Sequence, residues 1–233
     1  MKTITELLAG NTYPGRGIAI GRSADGQHGV IAYFIMGRSE NSRNRIFAET
    51  DDGIQTQAFD ESKMEDPSLI IYHPVRTMDD VTIVTNGDQT DTIRDGFLAG
   101  KPMPQSLKTR TFEPDGPHFT SRISGVLFHN GDYALSILKT ADGDATGCNR
   151  QFFGYETPAG GTAHLIHTYQ CDGNPLPAFA GEPKPIAVTA PTAADFAEEV
   201  WSALDKDNKI SLYVQYRNIA TGEVDTVIKN VHS

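Results

Sequence analysis

An α+β protein built from many antiparallel strands, with helices laid on the outer faces of two sheets, is what this sequence predicts. Three observations predict it. Runs of β-branched and aromatic residues recur along the chain, most of them bounded by Gly, Asn, Asp or Pro. Helical periodicity is confined to three short segments. Turn dipeptides such as Asn130-Gly131 and Thr221-Gly222 join neighbouring strand-like runs, and short hairpins force antiparallel pairing.

Taken in order, residues 2–9 can form one or two helical turns, and strands are expected at 16–21, 29–36, 45–50, 68–72 and 81–85. Residues 89–100 place Thr92, Ile93, Phe97 and Leu98 at helical spacing, with Gly100 and Pro102 as the stop. Further strands are expected at 122–129, 132–139, 161–169, 210–216 and 224–230. Between them, 172–191 holds five prolines and reads as loop. Residues 192–205 are the clearest helix. Thr192 can cap it, Asp195 sits where a capping box needs a carboxylate, and Phe196, Val200, Trp201 and Leu204 form the apolar stripe. No interdomain linker or internal repeat is visible, so residues 1–233 read as one domain.

Composition narrows the function classes. The chain has 233 residues, 38% of them hydrophobic, enough to build a core without disulfides or metal. Two cysteines, Cys148 and Cys171, form no CxxC pair and suit a reducing cytoplasm. The N-terminal stretch is too polar for a signal peptide, and no apolar run is long enough to span a membrane. The net charge of −10 argues against nucleic acid or an anionic membrane as partner. Residues 1–50 are nonetheless slightly basic, with six Lys and Arg against four Asp and Glu. A local basic cluster suits a small anion, or is a set of solvated arginines.

Five segments could carry chemistry. Gly15, Gly17 and Gly21 lack the spacing of a dinucleotide fingerprint, and permit close backbone approach instead. Arg38, Arg43 and Arg45, interleaved with Ser39, Asn41, Ser42 and Asn44, suit a phosphate-binding loop, because guanidinium forks grip phosphate bidentately. Tyr72 and His73 end an apolar run, where a phenol can donate to a developing oxyanion. Asn86-Gly87 leads into a helix whose first turn carries Asp88, Thr90 and Asp91, by capping or by an anion site. Glu113, Asp115 and His118 precede Thr120 and Arg122. A carboxylate beside Arg122 is either a base of set pKa or a salt bridge. No GxSxG, Walker A, HExxH or paired CxxC occurs. His164 and His167, three apart in a strand, point to opposite faces and make no metal pair.

In this order, the segments resemble the archaeal-type IMP cyclohydrolase family. The matching stretches run from Tyr13 to Arg22, Arg38 to Arg45, Pro67 to Tyr72, Asn86 to Ile93 and Glu113 to Ile123. The chain departs from the pattern after Asn86-Gly87 and around 114–118. The resemblance implies a four-layer αββα sandwich of two mainly antiparallel sheets, similar to N-terminal-nucleophile hydrolases but without their processed nucleophile. It implies closure of 5-formamidoimidazole-4-carboxamide ribotide to IMP with loss of water, the last step of de novo purine synthesis. The implied roles are Arg38 and Arg45 on the 5′-phosphate, with Asn44 or Ser39 assisting. Tyr72 faces the formyl oxygen, Asn86 and Asp91 orient the base or ribose, and Glu113 with Arg122 stands near the reacting groups. Arg16 and Arg22 are further anion contacts. Neither metal nor cofactor is expected. The expected partner is a purine ribotide, and a homo-oligomer is compatible with the sequence. Two alternatives stay open: a purine-nucleotide-binding protein without turnover, and an amide hydrolase whose only nearby N-terminal nucleophile is Thr12.

Overall fold

The computed structural model describes residues 1–64, 67 and 69–232. A first sheet holds β1 (Gly17–Arg22), β2 (His28–Met36), β10 (Thr162–His167), β11 (Lys184–Ala187), β12 (Lys209–Asn218) and β13 (Val224–Asn230), in the order β11-β10-β1-β2-β12-β13. A second holds β3 (Arg45–Thr50), β4 (Gly53–Ala58), β5 (Val75–Thr77), β6 (Val81–Thr85), β7 (Arg122–Phe128), β8 (Tyr133–Ala141) and β9 (Asp144–Tyr155), paired in chain order. Every strand pairing is antiparallel.

Side-chain alternation stacks the layers. In β2, Ile31, Tyr33 and Ile35 enter a core shared with Val84, Ile123, Leu135 and Ile137 of the other sheet. The intervening Val30, Ala32, Phe34 and Met36 point the opposite way, under α1 (Ile4–Leu8) and α5 (Ala193–Ala203). Both faces of β2 are therefore buried, which is why its sequence is an almost unbroken apolar run. On the far side, Val81, Ile83, Val126 and Leu138 pack against Ile93 of α3 (Gln89–Leu98) and Met103 of α4 (Met103–Ser106). The result is an α+β sandwich of two sheets with helices outside. Among the described residues no helix is long and apolar enough to cross a membrane.

The local signals explain most boundaries. Thr192 accepts the Asp195 amide and caps α5. Gly131 adopts φ +93° in the β7–β8 hairpin, and Gly222 φ +78° between β12 and β13. Gly21 is required by contact: a Cβ there would lie 2.2 Å from the Thr162 carbonyl oxygen of β10.

Four expectations are corrected. Residues 69–72 turn rather than extend, with Thr56 Oγ1 holding the Ile70 and Tyr72 carbonyls; Ser68 lies outside the described residues. The supposed loop at 172–191 contains β11. Residues 40–43 form the single turn α2 (Glu40–Arg43), capped reciprocally by Ser39 and Ser42. Asp88 stands at the start of α3 without capping it, and instead pairs with Arg110 and Arg122.

Candidate active site

Sheet ends and the turns leaving them bring the candidate residues together. Gly15, at φ +80°, lies so close to Thr168 that a Cβ would sit 2.3 Å from its hydroxyl. That approach sets Arg16 at the entrance to β1, beside the end of β10. The chain leaves β2 at Met36, turns through α2 and enters β3 at Arg45, so Arg38 and Arg45 return to the same end of the sandwich. The segment 113–121, leading into β7, folds over this end through the Glu113 amide, which donates to the Thr120 carbonyl at 2.8 Å. A cavity of about 250 Å³ results, lined by Tyr13, Arg16, Arg38, Ser39, Ser42, Arg45, Asp115, His118, Thr120 and Tyr169, among others.

The three arginines differ in their partners. Arg16 Nη1 donates to both Glu113 carboxylate oxygens, at 3.1 and 3.0 Å. Burial opposes the Arg16 cation most strongly, but Glu113 together with the Tyr72, Tyr169 and Tyr33 phenols outweighs it and holds the guanidinium firmly charged. Burial lifts the Glu113 carboxyl above its ordinary range, while Arg16 and Arg122 pull it back only in part. Arg38 reaches Asp172 at 2.5 Å and lies over the Tyr13 ring, 4.8 Å from its centroid. Arg45 is only 2% exposed. Its Nε donates to the Ser42 carbonyl at 2.7 Å and its Nη2 to the Met36 carbonyl at 3.4 Å. Among the described residues no carboxylate forms an ion pair with it. Burial, and then the Arg16 charge, depress its basicity. A buried guanidinium without a counter-ion is costly unless an anion arrives to pair with it.

Tyr72, Glu113 and Arg122 stand behind the Arg16 wall rather than on the lining. The Tyr72 hydroxyl meets that of Tyr33 at 3.0 Å, and its phenol lies within electrostatic reach of Arg16 and Arg45. Arg122 Nη1 donates to Asp88 at 2.9 Å and to Gln89 Oε1 at 2.7 Å. On the lining, the Thr120 amide donates to Asp115 at 2.7 Å, its hydroxyl donates to the other carboxylate oxygen, and the Tyr169 hydroxyl meets that of Thr120. Burial pushes the Tyr169 phenol up to about 12, against the pull of Arg16 and Thr120.

Four more expected residues lie away from the cavity altogether. Arg22 ends β1, roughly 20 Å along the strand from Arg16, and donates to the Pro158 carbonyl. Asp91 is held by Arg76 at 2.6 Å and by Arg94 at 3.1 Å on the outer helix layer. Asn86 is fully buried and its amide is spent on the start of β7 and on Gln89: it donates to the Ser121 carbonyl and accepts from the Ile123 amide. Asn44 staples Asp60 by both its amide atoms. Thr12 is exposed and off the lining. Tyr169 and Tyr33 carried no sequence signal. Tyr169 reaches the site only through the pairing of β10 with β1, and Tyr33 is hidden inside an apolar run.

The protein so defined is an α+β sandwich with an arginine-lined cavity where its sheets end. The family model described as IMP cyclohydrolase-like protein matches residues 13–223. The chain belongs to that family. It is similar to a protein of Halobacterium salinarum named IMP cyclohydrolase, 28% identical over 222 residues, covering 94% of this chain and 98% of that one. Proteins of the same name from Methanosphaera stadtmanae and Methanococcus aeolicus are 31% and 27% identical. Those alignments cover 54% and 68% of this chain, and 63% and 75% of theirs.

Proposed function

We propose that this chain, as one cytoplasmic domain, is an IMP cyclohydrolase. It closes 5-formamidoimidazole-4-carboxamide ribotide to IMP with loss of water. The observation that carries the reading is Arg45, a buried guanidinium without a carboxylate partner among the described residues, beside a cavity it shares with Arg16 and Arg38. A phosphate monoester supplies the missing anion, and Arg38 and Ser39 complete its grip. The helix-flanked sheets support kinship of fold with N-terminal-nucleophile hydrolases.

The reaction is intramolecular: the carboxamide nitrogen attacks the formyl carbon of the same molecule. Holding one rotamer of an anchored ribotide therefore removes much of the barrier. As the bond forms, charge grows on the formyl oxygen. The formyl end of the ribotide reaches past the Arg16 side chain to Tyr72, which donates to that oxygen, and Arg16 supplies positive field beside it while Arg45 is committed to the phosphate. Glu113, fixed by Arg16 with Arg122 nearby, accepts a proton from nitrogen. Arg122 sustains that carboxylate rather than touching the ribotide.

Mixing the protein with the formylated ribotide and following absorbance tests this directly. Appearance of IMP is the expected result. Thermal stabilisation by IMP without any product would instead select a nucleotide-binding protein. Two substitutions probe the anchor. Arg38→Ala is expected to raise KM about 10- to 100-fold, the worth of a charged hydrogen bond, with kcat within threefold. Arg45→Met is expected to raise KM by at least about 30-fold. Its unfolding midpoint should move by only a few degrees, because two lost carbonyl bonds are offset by relief of a buried charge. A normal KM in Arg45→Met would remove the phosphate assignment.

A further inference from the structure

Ring closure has to shed two protons from nitrogen. Forming the new N–C bond breaks one N–H bond of the carboxamide. Expelling water breaks the C–O bond and the N–H bond of the formamide. Both protons depart in the water molecule, so each needs a holder in transit. Glu113 provides one holder, and it stands behind Arg16.

The cavity wall itself carries a second set of groups. Thr120 gives its amide hydrogen to one Asp115 oxygen, at 2.7 Å, and its hydroxyl hydrogen to the other. The Thr120 hydroxyl can therefore meet Tyr169 only as an acceptor, so the Tyr169 hydroxyl donates to it. This polarity leaves the Tyr169 oxygen with free lone pairs in a cavity that Tyr169, Thr120 and Asp115 all line. The Tyr169 ring is fixed against Tyr13, with centroids 5.9 Å apart and planes 17° from parallel. A hydroxyl chain ending on a carboxylate can move a proton without ever forming a free phenolate.

We propose that Tyr169, Thr120 and Asp115 form a proton relay that accepts one of the two nitrogen protons. The inference rests on the ring-closing function proposed above. In the step, the substrate N–H bond breaks and its proton joins the Tyr169 oxygen. The Tyr169 proton passes to Thr120 and the Thr120 proton to Asp115, which becomes a neutral carboxylic acid. The electron pair left on nitrogen forms the new bond to carbon. The Asp115 proton later returns along the same chain to the departing oxygen. Tyr169 is the catalytic residue here, and Thr120 and Asp115 act through it.

The test compares Thr120→Val, which keeps the shape but breaks the hydroxyl chain, with Thr120→Ser, which restores it. Steady-state kinetics on the formylated ribotide and IMP affinity by calorimetry are measured for both. Thr120→Val is expected to lose about 100-fold or more in kcat, with KM and IMP affinity within threefold of the parent. Thr120→Ser is expected to stay within threefold of the parent in kcat. Full kcat in Thr120→Val, or equal damage in both variants, overturns the relay. If circular dichroism shows Thr120→Val unfolded, Tyr169→Phe takes its place, and kcat within threefold of the parent there overturns the relay. An unaltered protein that forms no IMP defeats the ring-closing function itself, a result separate from any variant.

Discussion

Tyr72→Phe is expected to lower kcat by about 10²–10³ while KM stays within threefold, because it deletes one hydrogen bond to a developing oxyanion. The Tyr33–Tyr72 pair gives the reason. Two phenols carry two hydroxyl hydrogens, yet their mutual contact at 3.0 Å uses only one. Burial, reinforced by Tyr72, pushes the Tyr33 phenol well above its ordinary range, so Tyr33 keeps its proton at neutral pH and can donate it to Tyr72. The Tyr72 hydrogen is then left for an incoming oxygen. Its neighbours Arg16 and Arg45 are cations and cannot accept it. The ground-state formyl oxygen gains little from this bond and the anionic transition state gains much, so the loss falls on kcat. Tyr72 is 5% exposed and its ring remains in Phe, so the unfolding midpoint should hardly change. A Tyr72→Phe enzyme with full kcat would end the oxyanion assignment.

How much of this was legible in the sequence depended on where each signal lay along the chain. β2 announced itself because both its faces are buried, and β3, β6 and β13 appear at the expected boundaries. β9 was missed although it is 12 residues long. It is an edge strand, half-exposed, and its sequence DATGCNRQFFGY carries Gly, Asn and Asp that read as loop; only pairing with β8 holds it extended. The opposite error fell at residues 69–72. There Ile70 and Tyr72 are buried as side chains, but only Thr56 of β4 holds their carbonyls, by its hydroxyl to both and its amide to Tyr72, and no ladder continues from it. An apolar run reports burial, not backbone direction. At the site, the convergence of Arg38 and Arg45 could be read locally, since one turn separates them. The loss of Asn86 and Asp91 to internal bonds could not. Beyond the near neighbours Gln89 and Arg94, their partners are Ser121, Ile123 and Arg76, which only the sheet and the helix layer bring within reach.

Glu113 ties activity to acidity with opposite signs for rate and stability. Its carboxyl is 2% exposed and held above the ordinary range by burial, with Asp115 adding to the rise while Arg16 and Arg122 oppose it. As a proton acceptor it must be ionised, so kcat/KM is expected to fall as pH drops through an ionisation above the usual carboxylate value of about 4.3. Glu113→Gln should lose roughly 10²–10⁴ in kcat and lack that acid limb, while retaining the limb due to the substrate phosphate. Stability runs the other way. Between the unfolded and the raised folded pKa, the native state binds more protons than the unfolded one, so stability declines as pH rises across that window. Buried His167, held down to about 4, titrates with the opposite sign in the same window, so the comparison is with Glu113→Gln, which shares every other group. Relative to that variant, the parent should gain rate and lose thermal stability as pH rises over the interval. A Glu113→Gln enzyme that keeps the parent's acid limb would place the essential base elsewhere. A parent whose unfolding midpoint rises relative to that of Glu113→Gln across that interval would mean that Arg16 and Arg122 outweigh burial after all.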